Sequence, residues 1–460
     1  MHSIAGLPFW RIAFDRAGSV HGLEESAFID ESAAAGVTDL LIFSHGWNND
    51  APTASRLYEN FFALVPPLLD GRADPERTVG LVGVYWPSMR WPDEVGTDAT
   101  GVTAAVDLAA GSSAAAAFAP VQQFAAPPPP SAAMRALLQD AFPAADPAQI
   151  ADLLTLLETR PDDESELRRL RDLLRSIAAS GQAESVGDDG EGQSDALPEA
   201  LSPDRDTYEV YDAFRAALED TGVITGSTGG AASLASSLKG LWHGAQEVAR
   251  QVTYWQMKQR AGMVGERGLG PLLARLSKAS PNIRINLIGH SFGCRLVSFA
   301  LRGLPVEATS AVRSVTLLEA AFSHFAFAGV LPFDMSRSGA LAGVQARVDG
   351  PVVACYSRYD SAVGTFYPLA SLARGQDASD LFDPLFRWQA MGHDGHQPES
   401  VVCPLYDVGE PYAFEPGSLV SIDASAVVRH GRPPSGAHSD ILHQQLAWIP
   451  LSAGRIAVSA

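Results

Sequence analysis

The chain has 460 residues, 46% of them hydrophobic, and a formal net charge of −20. That length holds one large α/β domain with an insertion, or two to three ordinary domains. The acidic balance argues against sequence-independent binding to nucleic acid or an anionic membrane, both of which run on clustered Lys and Arg.

In chain order, the N-terminal segment "MHSIAGLPFWRIAFDRAG" lacks a basic stretch followed by a long apolar run, so no signal peptide is expected and the protein is expected to be cytoplasmic. "FWRIAF", "TDLLIFSHGWNND" and "TVGLVGVYWPS" read as strands. Apolar runs of this kind suit strands buried on both faces of a parallel sheet. "TASRLYENFFALVPPLL", between the second and third runs, has helical spacing and gives β-α-β order.

From about 96 to 250 the character changes. Ala, Ser, Gly and Pro dominate first; the charge-free run from Leu108 to Met134, with its "PPPP", is too weakly hydrophobic and too broken to span a membrane. "SAAMRALLQDAF" and "PAQIADLLTLLETR" then space apolar residues three and four apart, and "ESELRRLRDLLRSIAAS" interleaves acids and bases. "GQAESVGDDGEGQSDALPE" and "TGSTGGAASLASSL" read as flexible pieces. A largely helical insertion is expected here, between two halves of one core at 1–95 and 251–460.

The last part returns to alternation. "QVTYWQMKQRAGMVGERGLGPLLARLSKA" is helix-rich, and "IRINLIG" is a strand that hands over to the helix "CRLVSFALRGL". "VRSVTLLEAAF", "PVVACYSRYD" and "SLVSIDAS" are further strands, and "DILHQQLAWIP" is the final helix. The fold class is α/β, with a mostly parallel sheet and helices on both faces. Cys294, Cys355 and Cys403 cannot all pair with one another, and they read as buried free thiols.

The junction "GHSFG" at 289–293 carries the chemistry. A serine on a sharp turn between strand and helix exposes its hydroxyl, and glycines two before and two after let the helix approach the strand. Ser291 is therefore the candidate nucleophile, with Gly289, His290 and Gly293 supporting the turn. The competing structural reading is a helix start in which Ser291 caps Cys294 or a neighbour. A serine needs a base, and the base needs an orienting acid. His438, in the loop of "PPSGAHSDILHQQL", is the candidate base, ahead of His430; His443 falls within the helix pattern, and Asp440 reads as a cap for that helix. Asp360, at the end of "PVVACYSRYD", is the candidate acid, with Glu319 as the alternative. The oxyanion formed on attack needs backbone N–H donors. Phe292 supplies one, and the strand-ending His45-Gly46-Trp47 loop supplies the other through Trp47.

"LLIFSHGWN", "GVYWPS", "INLIGHSFG", "YSRYD" and "GAHSD" together resemble the α/β-hydrolase superfamily, and within it a bacterial serine-hydrolase group with HGWN and GHSxG motifs. "TYWQMKQRAGMVG" is also similar to a segment of that group. The resemblance covers about 1–95 and 251–460. It implies an α/β-hydrolase fold with a helical cap and a serine esterase acting on a small-molecule or lipid-like ester, with no cofactor and no nucleic-acid partner. An acyltransferase or thioesterase would use the same residues; a non-catalytic interaction module would require none of them. The loop here is HGW where many esterases carry HGGG. "HDGH" at 393–396 is a possible metal pair without a further ligand cluster, so no metal is expected. Trp86 and Trp91 are expected at the floor or rim of the fold, where they would shape an acyl pocket.

Overall fold

The computed structural model describes residues 2–20, 22–88, 132–181, 199–220, 234–305, 310–366, 389–432 and 435–457. The Ala/Pro-rich run, Trp91, the acidic Gly-rich stretch and most of "TGSTGGAASLASSL" lie outside them.

Among the described residues nine strands form one sheet: β1 (His2–Ile4), β2 (Leu7–Ala13), β3 (Asp39–Ser44), β4 (Val79–Tyr85), β5 (Arg284–His290), β6 (Val312–Leu318), β7 (Val352–Tyr356), β8 (Val401–Pro404) and β9 (Leu419–Asp423). Their order is β1-β2-β4-β3-β5-β6-β7-β9-β8. Only β1 runs antiparallel, against β2; every other pairing is parallel. The unbroken apolar runs explain this. Every residue of β3, β4 and β5 is buried, so neither face of the middle of the sheet meets water.

Alternate residues feed two cores. Leu40 and Ile42 of β3 join one, with Phe28 of α1 (Gly22–Ala34) and Phe292 and Leu296 of α10 (Phe292–Arg302). Leu41 and Phe43 join the other, with α2 (Ala51–Phe62), α3 (Val65–Leu69) and α12 (Gln444–Ala453), whose Trp448 is fully buried. The segment expected as one helix over 53–69 is thus two. α2 is started by Asp50, whose carboxylate accepts from the Thr53 N–H at 2.9 Å.

Between β4 and β5 lie α4 (Ala132–Ala141), α5 (Pro147–Thr159), α6 (Glu164–Ser180), α7 (Thr207–Asp220) and α8 (Leu234–Val264). Leu138, Leu153, Leu170, Phe214 and Trp242 from these helices belong to the same core as the sheet face. The expected boundary at 250 falls inside α8. This 31-residue helix starts among the insertion helices, runs through a π-helical turn (Gly265–Leu269) and continues as α9 (Gly270–Ala279). The helix-rich segment of the sequence is therefore one continuous helical track. No helix among the described residues is long and apolar enough to cross a membrane.

The sheet order decides where function is built. β3 and β5 are neighbours, with Ser44 opposite Gly289, while β4 lies on the far side of β3. The chain therefore reverses direction across the sheet between β3 and β5. Crevices at such switch points, outside the C-terminal ends of parallel strands, are where α/β sheets bind ligands.

Candidate active site

Ser291 sits between β5 and α10 with φ 56° and ψ −123°. A non-glycine residue in that region is strained and persists only where its surroundings enforce it. Here they do. The Ser291 N–H donates to the Leu318 carbonyl at 3.1 Å, and the Ser291 carbonyl accepts from Cys294 at 3.1 Å. Both glycines of the motif are required by space: a Cβ on Gly293 would lie 2.0 Å from the Ser44 carbonyl oxygen, and one on Gly289 2.5 Å from Cys294 Cα. Ser291 occupies the N-cap position, yet its side chain caps nothing. The capping role weighed for it is thus not taken up.

The neighbouring strand delivers the second element. A Cβ on Gly46 would lie 2.5 Å from Ser291 Cβ, so the His45-Gly46-Trp47 loop lies directly against the serine. The Gly46 carbonyl is held by His45 Nδ1 (2.9 Å), Ser88 Oγ (3.3 Å) and Asn49 Nδ2 (3.3 Å). A peptide is planar and trans, so a carbonyl fixed into three donors turns the N–H of Trp47 the opposite way. Among the described residues no carbonyl accepts from the Trp47 or the Phe292 N–H.

The loop has further supports that sequence reading missed. Tyr58 Oη of α2 accepts from the His45 N–H at 2.9 Å and donates to the Val84 carbonyl. Trp86 stacks on the His45 ring with centroids 5.5 Å apart, and its Nε1–H donates to the His45 carbonyl at 2.9 Å. Trp86 therefore braces the His45-Gly46-Trp47 loop. Burial drives the His45 pKa down to about 4, so the ring is neutral, with Nδ1 as donor. The rings of Trp47 and Phe292 meet Tyr254 of α8, at 5.2 and 4.4 Å between centroids. The insertion helix thus reaches the serine's surroundings.

At the next strand ends, His438 Nδ1 lies 2.6 Å from Asp360 Oδ2. Asp360 follows β7, is 1% exposed, and also accepts from the Val363 N–H through Oδ1 at 3.2 Å. The two loops are tied by backbone, since the Ala437 N–H donates to the Tyr359 carbonyl at 3.0 Å. His290 links this pair to the elbow. Its Nε2 lies 2.8 Å from the His438 carbonyl oxygen, and burial lowers its pKa to about 3. A neutral His290 therefore donates through Nε2 and fixes the backbone of the loop that carries His438.

The remaining candidates separate cleanly. Glu319 follows β6 beside Asp360, fully buried. His430 is exposed and pairs with Asp440. Asp440 accepts from the Arg429 and His430 N–H groups and from His443 Nε2 at 3.0 Å; it braces a turn, which corrects its expected role as the helix cap. His443 itself is the N-cap residue of α12, where it was expected inside the helix. In "HDGH", Asp394 bonds His324 Nδ1 at 2.9 Å, and His396 is buried against Phe327. Among the described residues no three His, Cys, Asp or Glu side chains gather to hold a metal. Cys294 and Cys355 are buried free thiols as expected, and Cys403 is half-buried.

Compared with known proteins, the chain matches no family model, no curated protein and no solved structure.

Proposed function

We propose that the chain is a serine hydrolase of the α/β-hydrolase kind that cleaves carboxylic esters of small-molecule or lipid-like substrates. The observation that carries this reading is Ser291: a strained serine at the C-terminal end of a central strand, its hydroxyl spent on no cap, with Gly46 packed against it and the bonded His438–Asp360 pair tied to its neighbour His290.

The chemistry follows from the hydrogen bonds. Asp360 accepts a hydrogen bond from the Nδ1–H of His438, which holds the tautomer whose Nε2 is free to accept a proton. Ser291 Oγ attacks the ester carbonyl and passes its proton to Nε2. The oxyanion is received by the Trp47 and Phe292 N–H groups, and His438 returns the proton to the leaving alkoxide. Water, deprotonated by the same histidine, then releases the acid from the acyl-enzyme. Tyr254 and Trp47 give the reacting ester an apolar wall.

A fluorophosphonate probe tests this. Mass mapping is expected to find the label on Ser291 and on no other residue, with Ser291→Ala unlabelled. Asp360→Asn is expected to slow labelling by up to about 10⁴, since an amide there favours the wrong imidazole tautomer. Folded wild-type protein that takes no label, or takes it elsewhere, overturns the reading.

A further inference from the structure

We propose that Glu319 is a positioning residue: a protonated carboxylic acid that donates its proton in a hydrogen bond to the Asp360 carboxylate and so fixes the group behind His438. This rests on the reading of Ser291, His438 and Asp360 as a triad.

The strands place the two acids side by side. Leu318 pairs with Cys355 in the sheet; Glu319 is the next residue of its strand, and Asp360 lies in the turn after β7. Both are withdrawn from water, Glu319 at 0% and Asp360 at 1% exposure. The Glu319 side chain faces the Asp360 side chain, and no donor among the described residues reaches either of its oxygens; the nearby Ser357 N–H donates to the Gly392 carbonyl at 3.1 Å.

Among the described residues the ionisable groups acting on Glu319 are acidic: Asp360 from the turn after β7, Asp423 from the end of β9, Cys294 from α10 and Cys355 from β7. None of these groups is a cation that would reward a second buried carboxylate. Two carboxyls in contact without a cation between them hold one proton in common. Asp360 already accepts from His438 Nδ1 and the Val363 N–H, so both of its oxygens act as acceptors. The proton therefore resides on Glu319, where burial and the neighbouring Asp360 push the carboxyl well above the usual range.

The backbone adds an independent argument. Glu319 has φ 49°, a strained value for glutamate. Space enforces it: a Cβ on Gly392 would lie 2.5 Å from the Glu319 carbonyl carbon, and the Gly392 N–H donates to the Ala320 carbonyl at 2.9 Å. "HDGH", which holds no metal cluster, thus belongs to the segment that wedges the post-β6 turn against Asp360. A strained, buried acid with no cation would cost stability for nothing unless its donor were used.

With the donor in place, Asp360 cannot swing off His438, and part of its charge is taken up away from the imidazole. Two variants separate this role from space-filling. Glu319→Gln keeps an N–H donor; Glu319→Leu keeps the bulk and loses the donor. Glu319→Gln is expected to keep kcat/KM within about threefold of wild type with the acid limb of its pH profile unmoved. Glu319→Leu is expected to move that limb to higher pH by about one unit, because an unshared Asp360 charge stabilises the imidazolium, and to lower kcat about tenfold. Infrared spectra of the wild type at neutral pH should show a protonated-carboxyl C=O band that Glu319→Gln lacks. The proposal fails if that band is missing, if Glu319→Gln shifts the limb downward as loss of an anion would, or if Glu319→Leu leaves the profile unchanged. Should Glu319→Leu not fold, the band and the Glu319→Gln profile decide alone. Should the wild type carry no hydrolase activity, the triad reading fails, while the band and an NMR titration of the His438 ring in both variants still decide whether the two acids share a proton.

Discussion

His45, His290 and His396 are held neutral by burial, with pKa values driven from the ordinary 6.5 down to about 4, 3 and 3. The sign of the consequence is fixed. An unfolded histidine takes up a proton as pH falls through about 6.5, whereas these three refuse it in the fold, so the unfolded state gains protons first. Each removes about 1.4 kcal/mol of stability per pH unit below that point, and the three together about 4 kcal/mol per unit. Thermal unfolding followed from about pH 7 down to about pH 4 should therefore show a steep fall in Tm. Replacing His396, the one remote from the elbow, by Phe should flatten it. A Tm that stays level over that range would mean these rings gain protons without unfolding. The residues of the proposed site were legible at this scale. A serine between two glycines, an acid after a later strand and a histidine in the last loop follow one another in the order that the proposed chemistry uses. The bond from His290 to the His438 carbonyl was not legible, nor was the Tyr58 hydroxyl under His45. Both join residues far apart in the chain, and nothing local marks Tyr58 as other than a core aromatic.

Helix α10 is buried from Phe292 to Leu301, and what it packs against is backbone. A Cβ on Gly265 would lie 2.1 Å from the Leu296 carbonyl oxygen, and one on Gly270 2.4 Å from that of Ala300. The glycines of "GMVGERGLG" therefore let the π-helical turn and α9 lie directly on the helix that follows Ser291. Gly265→Ala must push the two tracks apart, at a cost of about 3 kcal/mol or more, and should slow fluorophosphonate labelling as well. Gly329→Ala, where nothing lies within 4 Å of the added carbon, is the control and should change Tm little. Equal Tm values for the two variants would show that the helices separate freely. The helical track was legible from apolar spacing, but the reason for its glycines was not, because spacing does not say what lies opposite. Strand β8 went unread for a different reason. Val401 and Val402 are both exposed at the sheet edge, so the four-residue run shows no in-out alternation.

Across the whole molecule, the insertion is joined to the sheet by more than its ends. Arg260 of α8, nearly buried, donates to the Pro87 carbonyl at 2.9 Å, to Asp140 Oδ2 at 3.0 Å and to the Asp140 carbonyl at 2.8 Å. One guanidinium thus clasps the end of the β4 segment to α4. Arg260→Met removes the donor shared by the Pro87 and Asp140 carbonyls and should cost about 1–3 kcal/mol, with the insertion becoming the first part of the chain open to protease. Unchanged Tm and protection would mean the clasp holds nothing. Alternating strands and helices made the α/β class readable, since runs buried on both faces leave a plain signature. The joint between insertion and core was not readable, because α8 crosses it without a break in pattern. The sheet order also has a consequence for how the chain is made. Leu40 and Ile285 are sheet partners although 245 positions separate them (285 − 40). At about 5–20 residues per second, a ribosome needs roughly 12–50 s to supply the partner. Throughout that interval the apolar strand β3 has one edge open, the kind of edge that invites pairing with another chain. The newborn protein therefore depends on shelter, by chaperone or by its own helices, well before Ser291 has been added to the chain.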